Sequence, residues 1–385
     1  MALSSTKDTI CALSTPPGTG AIAVIRLSGP DAIGVTSKIF TPAAKGVDLA
    51  SVVSHTIHFG TIGSGQDILD EVLVSLFRAP HSYTGEDVIE ISCHGSAYIQ
   101  QKTLELLISS GLRMANPGEF TLRAFLNKKF DLSQAEAIAD LIASHSASSH
   151  DLALRQMRGG FSKTISSLRQ SLVEFTSLIE LEIDFSEEQM VFADRGRLFE
   201  LLDHLASELS ALVRSFSLGN VIKSGIPVAI VGKPNVGKST LLNVLLNEEK
   251  AIVSEFPGTT RDAIEDTIVI GGYSFRFIDT AGLRAAEDQI ETIGIGRTWE
   301  KVGEANIILY VFDATEDSFE EVMDAIGEFR DYTADNSRSL ILVGNKMDRL
   351  KKLPRGFRDF VEYNTVFVSA KRRENIHEIA DHLLQ

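Results

Sequence analysis

Cysteine is nearly absent from this chain. Only Cys11 and Cys93 occur among 385 residues, too few for a disulfide framework and typical of a reducing compartment. Long apolar runs are absent as well. The first residues contain no apolar segment of signal-peptide length, and no stretch reaches the roughly 18 apolar residues of a membrane-spanning helix. The sequence therefore predicts a cytoplasmic protein that does not enter a membrane.

Positive charge is also scarce. The chain has 37 Lys and Arg against 52 Asp and Glu, which gives a net charge of -15. This acidic balance excludes broad, nonspecific wrapping of nucleic acid, although a local basic patch can still bind RNA. The contents of hydrophobic residues, 44%, and of charged residues, 23%, are ordinary for a globular protein. The length suits two or three domains.

The first region, residues 1–117, has the pattern of strands and turns with some helix. Alternating and apolar runs predict strands at 21–29, 68–77 and 88–95. A longer periodic segment at 96–111 predicts a helix that ends at glycine. Strands followed by a separate helix are typical of an α+β domain.

The second region, residues 118–222, is expected to be helical throughout. Ser133 and Glu136 have the spacing of a capping box at the head of one helix. Two later stripes of apolar residues recur at helical spacing, and we expect both to be buried against other helices. The stripes are Ile165, Leu168, Leu172, Phe175 and Ile179, and Leu198, Leu201, Leu205, Leu209, Leu212 and Phe216.

The third region, residues 223–385, alternates short apolar strands with helices. This alternation predicts an α/β domain with a doubly wound, largely parallel sheet. The expected strands lie at 227–232, 275–280, 307–313, 340–345 and 365–370.

A phosphate-binding loop stands at the start of this third region. The segment GKPNVGKS, residues 232–239, fits G-x-x-x-x-G-K-[ST] and lies between an expected strand and an expected helix. Its glycines let backbone N–H groups curl around phosphates, and the helix N-terminus adds partial positive charge. We expect Lys238 to reach the β- and γ-phosphates and Ser239 to bind Mg²⁺.

Four more segments follow in the order found in GTPases. Thr259 and Thr260 offer a hydroxyl for Mg²⁺, and the segment DTAG, residues 279–282, offers a carboxylate for the metal and an N–H group for the γ-phosphate. The segment NKMD, residues 345–348, fits the guanine signature N-K-x-D, and SAK, residues 369–371, is expected to close over the base.

Asp348 predicts the choice of guanine. Its carboxylate can accept hydrogen bonds from N1–H and the 2-amino group of guanine, donors that adenine lacks. Each short motif alone is weak, but five in the right order predict a guanine-nucleotide site.

Several longer segments are distinctive: GKPNVGKSTLLN, VSEFPGTTRD, DTAGLR and IETIGI in the third region, and TPPGTGAIAVIRLSG, YTGEDVIEISCHG and NPGEFTLRAFLNKKFDLSQAEAIADLI before it. Through these segments the sequence resembles the MnmE (TrmE) family of tRNA-modifying GTPases. The resemblance covers essentially the whole chain. It implies an N-terminal tetrahydrofolate-binding and dimerisation domain at 1–117, the first half of a helical domain at 118–222, and a Ras-like GTPase domain at 223–385.

The resemblance also implies a function. With MnmG, an FAD-containing partner, such a protein modifies the C5 position of wobble uridine U34 in certain tRNAs, using a one-carbon unit from 5-formyltetrahydrofolate or a related folate. It implies a homodimer formed through the N-terminal domain and transient dimerisation of the GTPase domains.

Leu283 follows the DTAG segment, where Ras-like GTPases have a glutamine that orients the attacking water. The resemblance implies that hydrolysis is stimulated by K⁺ and that Glu291 positions the water. Without the resemblance, the spacing of Glu291 from the DTAG segment favours a solvent-exposed helix carboxylate with no catalytic role. The resemblance further implies that the oxygen ligands of K⁺ come from Asn235, Ser254, Thr259 and the backbone carbonyl of Phe256.

The complete set of residues implied to contact nucleotide or its ions is larger. It comprises Asn235, Val236, Gly237, Lys238, Ser239 and Thr240; Ser254, Glu255, Phe256, Pro257, Gly258, Thr259 and Thr260; Asp279, Thr280, Ala281 and Gly282; and Asn345, Lys346, Asp348, Ser369, Ala370 and Lys371.

Arg26 and Glu90 of the first region, with Lys129 just beyond it, match the family's folate-contacting positions. Arg26 and Lys129 suit an anionic folate, and Glu90 suits the N–H groups of a pterin ring. Without the resemblance, these residues are more typical of a strand-end arginine, a sheet-face glutamate and a loop lysine.

Two other interpretations stay open at this point. One is a regulatory GTP-binding switch in ribosome assembly, since other GTPases of that kind share the asparagine of the phosphate loop. The other is a structural scaffold with vestigial nucleotide binding, which slow or absent turnover with intact binding would favour. The family's chains continue to a C-terminal Cys-x-Gly-Lys motif, whereas this sequence stops at ADHLLQ. A chain truncated there is expected to keep nucleotide chemistry but lose tRNA modification.

Cys11 and Cys93 are expected to be core residues. Cys93 and His94 are neighbours in an expected strand, so their side chains point to opposite faces and do not form a reactive pair.

Overall fold

A computed structural model describes residues 8–65, 67–184, 195–247, 266–278, 303–329, 338–350 and 364–385. The chain forms two compact units. One comprises Met1–Ile138 with Met157–Lys163, and the other Ala139–Gln156 with Thr164–Gln385. Among the described residues, no helix is both long and apolar enough to cross a membrane.

The first unit is built on a mixed sheet. Its strand order is β3-β4-β5-β6-β2-β1-β7, and the neighbours are antiparallel except for β1 and β7. The strands expected at 21–29, 68–77 and 88–95 are confirmed as β2, β5 and β6. The strands are β1 (Ile10–Leu13), β2 (Ile22–Ser28), β3 (Phe40–Pro42), β4 (Thr56–Ser64), β5 (Asp67–Phe77), β6 (Val88–His94) and β7 (Arg113–Met114).

The helices of this unit are α1 (Ala32–Ile39), α2 (Ala97–Ser109) and α3 (Glu119–Leu126). The helix expected at 96–111 is confirmed as α2. Alternate side chains of the strands, such as Ile25 and Ile91, are fully buried in the core of this unit. The residues between them, among which are Arg26 and Glu90, therefore face the other side of the sheet.

Four helices follow: α4 (Leu132–Ile142), α5 (Ala147–Met157), α6 (Gly160–Asp184) and α7 (Arg195–Ser224). The capping box expected at Ser133 and Glu136 is wrong. The reciprocal pair is Asp131 and Gln134: the Gln134 N–H donates to Asp131 Oδ1 over 2.9 Å, and the Asp131 N–H donates to Gln134 Oε1 over 3.0 Å. Ser133 lies inside the helix and donates its hydroxyl to the same carboxylate, an acceptor stronger than a hydroxyl.

The two apolar stripes on α6 and α7 do not form the buried core that their spacing predicts. Leu205 is buried, but Leu172, Leu209 and Phe216 are 40%, 46% and 55% exposed. Helical periodicity determines which residues share a face, whereas burial also needs an opposing apolar surface. Among the described residues, that surface fully covers Leu205, covers other members of the stripes in part, and leaves Leu172, Leu209 and Phe216 exposed.

The second unit contains the expected largely parallel sheet, in the order β13-β12-β11-β8-β10-β9. Only β9, which the sequence analysis did not identify, runs antiparallel to its neighbour. The strands are β8 (Ile226–Val231), β9 (Asp266–Ile270), β10 (Tyr273–Phe277), β11 (Ile307–Asp313), β12 (Ser339–Asn345) and β13 (Thr365–Phe367).

Helices cover both faces of this sheet. Helices α8 (Lys238–Leu246) and α10 (Ile376–Leu383) contribute to one apolar cluster, and α9 (Phe319–Glu328) contributes to another. Strand β8 lies between β10 and β11. After β8 the chain forms β9 and β10 on one side of it and then β11, β12 and β13 on the other side, so the strand order reverses at β8. The carboxyl ends of β8 and β11 therefore flank the crevice where ligands bind in open α/β sheets.

Candidate functional site

The loop between β8 and α8 has a backbone that only particular residues allow. Gly232, Asn235 and Gly237 have φ values of 148°, 61° and 97°. A Cβ atom on Gly232 would overlap the carbonyl oxygen of Val311, and one on Gly237 would overlap the side-chain nitrogen of Asn345. The two glycines of the motif thus permit a close approach between this loop and the strands beside it.

Lys238 lies across this loop. Its ammonium group donates to the carbonyl oxygens of Gly232 over 2.8 Å and of Lys233 over 2.9 Å. Ser239 and Thr240 follow in the first turn of α8, where the N-terminal N–H groups favour an anion. The loop, the lysine and the helix start together form a phosphate cradle.

Asn345 joins three loops at the other end of the site. Its side chain is buried and donates to the carbonyl oxygen of Val236 over 2.8 Å. Its Oδ1 accepts from the N–H groups of Lys346 over 2.8 Å and of Ala370 over 3.0 Å. The amide therefore fixes the phosphate loop, the N-K-x-D segment and the SAK segment relative to one another.

Asp348 has the properties needed to recognise guanine. The Ser369 hydroxyl donates to its Oδ1 over 2.7 Å, and this hydrogen bond lowers the pKa of Asp348 below its ordinary value. The carboxylate is therefore ionised at neutral pH and has further lone pairs available for two N–H donors. Lys371, the last residue of the SAK segment, is exposed.

The structure thus brings together the expected residues of the phosphate loop, the N-K-x-D segment and the SAK segment. The remaining expected residues lie outside the described parts of the chain. They are Ser254, Glu255, Phe256, Pro257, Gly258, Thr259, Thr260, Asp279, Thr280, Ala281, Gly282, Leu283 and Glu291.

Two described side chains suit the ions that the sequence analysis expects. The Ser239 hydroxyl and the Asn235 amide oxygen are oxygen donors, the ligand type that hard cations prefer. Within the described ranges, no group of three or more His, Cys, Asp and Glu side chains could hold a metal. Ser239 and Asn235 could therefore contribute a hydroxyl oxygen and an amide oxygen to such an ion.

A second candidate site lies on the sheet of the first unit. Arg26 on β2 and Glu90 on β6 are register partners, with Nε and Nη2 of the arginine 2.9 Å and 2.7 Å from Glu90 Oε1. The guanidinium carbon lies 4.9 Å from the ring centre of Tyr83 and 5.6 Å from that of Phe120. Paired charges beside two aromatic rings suit a flat, polar, anionic ligand.

Lys129 is connected to this site through its neighbours. Its ammonium group donates to the carbonyl oxygen of Pro80 over 3.1 Å, and the ring of Phe130 lies 5.8 Å from that of Tyr83. Sequence reasoning missed Tyr83 and Phe120, although they lie in the YTGED and NPGEF segments. Their closeness to Arg26 depends on tertiary structure, and the only available signal was an aromatic residue within each distinctive segment.

A buried ionic network supports the first unit. Arg123, whose side chain is 4% exposed, contacts Asp8, Glu86 and Glu119. Arg113 forms a second pair with Glu119 at 2.7 Å. Hydrogen bonding by Arg113 lowers the pKa of Glu119 from 4.5 to about 2.

Glu119→Gln is expected to destabilise the protein by about 2 kcal/mol at pH 7. Because the folded-state pKa is depressed, the stabilisation is fully present above the ordinary value of 4.5 and is lost as pH falls toward about 2. Urea unfolding of the full chain at pH 7 and pH 3 measures the difference from wild type. Glu105→Gln, at an exposed glutamate, is the control. A difference that stays constant between the two pH values would contradict this account.

The expectation that both cysteines are core residues is confirmed. Cys11 and Cys93 are buried, and burial raises the pKa of the Cys11 thiol to about 11. His94 is exposed and pairs with Asp70 at 2.7 Å. The cysteine and histidine thus lie on opposite faces of β6.

Two protein families match parts of this chain. Residues 9–129 match the family described as GTP-binding protein TrmE N-terminus, and residues 227–346 match the 50S ribosome-binding GTPase family. The tRNA modification GTPase MnmE of Bacteroides fragilis is 53% identical over 98% of this chain and 82% of its own length.

Two further relatives have the same description. The protein from Bacteroides thetaiotaomicron is 54% identical, over 98% of this chain and 82% of its own. The one from Flavobacterium psychrophilum is 51% identical, over 98% and 81%. These identities over nearly the whole chain confirm the resemblance found in the sequence, and the chain belongs to the MnmE family of tRNA modification GTPases.

Proposed function

We propose that this GTPase acts in tRNA modification together with MnmG, an FAD-containing partner, at the C5 position of wobble uridine U34. The one-carbon unit comes from 5-formyltetrahydrofolate or a related folate. The observation that carries this proposal is the presence of two sites in one chain: a guanine-nucleotide site and the cluster of Arg26, Glu90, Tyr83 and Phe120. A nucleotide switch alone does not need the second site.

In the nucleotide site, the phosphate loop holds the phosphates and Asp348 selects guanine. The ammonium group of Lys238 donates to the carbonyl oxygens of Gly232 and Lys233. When GTP binds, it donates to phosphate oxygens instead. Ser239, Thr260 and Asp279 would hold Mg²⁺, which would neutralise charge on the phosphates. Ras-like GTPases use a glutamine to orient the attacking water, and Leu283 occupies that position here. Glu291 orients the water instead.

Asn235, with Ser254, Thr259 and the carbonyl of Phe256, would hold K⁺. This ion supplies positive charge near the phosphates, which offsets the charge that develops in the transition state. The GTPase domains of two chains dimerise transiently when GTP is bound. The proposed domains are 1–117, which also forms a stable homodimer, 118–222 and 223–385, and the protein acts in the cytoplasm.

Calorimetric titration of the full chain with 5-formyltetrahydrofolate tests the folate site. Wild type is expected to bind, and Arg26→Gln is expected to weaken binding about tenfold or more because a charge-assisted contact is lost. Lys102→Met, on the exposed face of α2, is the control. Absence of binding by wild type, with fluorescent GDP still bound, would remove the folate half of the proposal and leave the GTPase.

A regulatory switch in ribosome assembly is the second candidate. One observation favours it: residues 227–346 match a family described as 50S ribosome-binding GTPases. Cosedimentation with 50S subunits that depends on GTP, without folate binding, would support the switch and contradict the main proposal.

A further inference from the structure

We propose that two carboxylates, Asp313 at the end of β11 and Asp317 in the loop that leads to α9, are positioning residues of the nucleotide site. Asp313 holds Lys346 of the N-K-x-D segment, and Asp317 holds Lys233 of the phosphate loop. This inference rests on the proposed nucleotide site. Neither aspartate belongs to any of the five motifs, and sequence reasoning missed both.

Asp313 is the last residue of β11 and the register partner of Asn345 on β12. Its side chain is 3% exposed, and Oδ2 lies 2.5 Å from the ammonium nitrogen of Lys346. Oδ1 accepts from the N–H group of Thr315 over 2.9 Å and from its hydroxyl over 2.6 Å. Burial raises the pKa of Asp313, but the hydrogen bonds from Lys346 and Thr315 outweigh it and leave the pKa below the ordinary value.

Asp317 makes the corresponding contact at the phosphate end. Its side chain is 8% exposed, and Oδ1 lies 2.7 Å from the ammonium nitrogen of Lys233. Oδ2 accepts from the backbone N–H group of Asp313 over 2.7 Å. Glu321 also contacts Lys233, at 3.1 Å, but is 56% exposed. The hydrogen bond to Asp317 is the main cause that raises the pKa of Lys233.

These contacts link both ends of the nucleotide site through the short segment that runs from Asp313 to Asp317. The carbonyl oxygen of Lys233 accepts from Lys238, so the tethered residue forms part of the cradle that holds the phosphate-binding lysine. The N–H group of Lys346 donates to Asn345 Oδ1, so the contact between Asp313 and Lys346 supports the part of the site that binds the base. Ordering the two loops during folding lowers the entropic cost of ordering them during binding.

Burial of the carboxylates distinguishes these contacts from ordinary surface ion pairs, which typically contribute little to stability. The carboxylates of Asp313 and Asp317 are nearly inaccessible to water. Removing either lysine therefore leaves a buried carboxylate without its counter-charge, which perturbs the loop around it.

The test uses the full chain with GDP and guanosine as competitors of a fluorescent GDP analogue. Asp317→Asn keeps an acceptor for the Asp313 N–H group but removes the charge, and Lys233→Met removes the charge of its partner. Each is expected to raise the Kd for GDP about three- to tenfold and to leave the Kd for guanosine unchanged. The double variant is expected to equal the single variants, because both remove the same contact.

The control is Glu321→Gln, at the exposed second partner of Lys233, which is expected to change the Kd less than about twofold. Asp313→Asn is expected to weaken GDP and guanosine alike, since it acts at the base end. Thermal unfolding identifies any variant that fails to fold. If Asp313→Asn fails to fold, Asp317→Asn still tests the inference.

Wild-type affinity in the folded Asp317→Asn and Lys233→Met variants would overturn this inference. Additive effects in the double variant would also overturn it. Failure of wild type itself to bind GDP would instead contradict the proposed nucleotide site, so the two failures are distinguishable.

Discussion

Asp348→Asn is expected to weaken GDP binding about 100-fold, since two charge-assisted hydrogen bonds are lost and an amide N–H group now faces the donors of guanine. The carboxylate is ionised because the Ser369 hydroxyl donates to it over 2.7 Å and lowers its pKa. Xanthosine diphosphate carries an oxygen where guanine carries its 2-amino group, so its affinity is expected to rise in the same variant.

Equilibrium titration with fluorescent GDP and with xanthosine diphosphate as competitor measures this change of specificity. Asp381→Asn, at an exposed aspartate of α10, is the matched control and is expected to bind GDP as wild type does. A folded Asp348→Asn variant with unchanged affinity for both nucleotides would show that this carboxylate does not read the base.

Gly237→Ala is expected to abolish measurable GDP binding, with a loss of about 100-fold or more, while the chain stays folded. The new Cβ atom would overlap the side-chain nitrogen of Asn345, and the backbone at φ 97° is one that alanine rarely adopts. Asn345 cannot yield without breaking its hydrogen bonds to Val236 and Ala370. The substitution therefore separates the phosphate loop from the base-binding segments.

Circular dichroism and GDP titration of the full chain test this expectation. Gly327→Ala on α9 is the control, because a Cβ atom there meets no atom within 4 Å. Wild-type GDP affinity in Gly237→Ala would mean that the contact between the loop and Asn345 has no role in binding.

The parts of the fold that local sequence determines could be predicted. The strands β2, β5 and β6 and helix α2 were identified because periodicity and turn residues lie within each segment. The antiparallel strand β9 was missed. The cap at Asp131 was missed because two capping-box patterns overlap within six residues, and only the structure shows which donors are paired.

The apolar stripes of α6 and α7 show a different limit. Their spacing correctly predicts helices, yet Leu209 and Phe216 are exposed. Burial depends on what packs against a helix, and the sequence of the helix itself does not contain that information.

The nucleotide site divides in the same way. The residues of its motifs could be predicted because their chemistry is tied to a fixed spacing. Asp313 and Asp317 could not, because their contacts with Lys346 and Lys233 join segments that are distant in the sequence. Tyr83 and Phe120 beside Arg26 were missed for the same reason.

The central claim is that this chain hydrolyses GTP at a site in which K⁺ provides the missing positive charge. The most direct test is the rate of GTP turnover in K⁺ and in Na⁺ at matched ionic strength, over a range of protein concentrations, for wild type and Asn235→Ala. The account predicts a wild-type rate that rises with K⁺ and with protein concentration, and a variant that binds nucleotide without stimulation by K⁺. A wild-type rate indifferent to both K⁺ and protein concentration, or a variant still stimulated by K⁺, would contradict it.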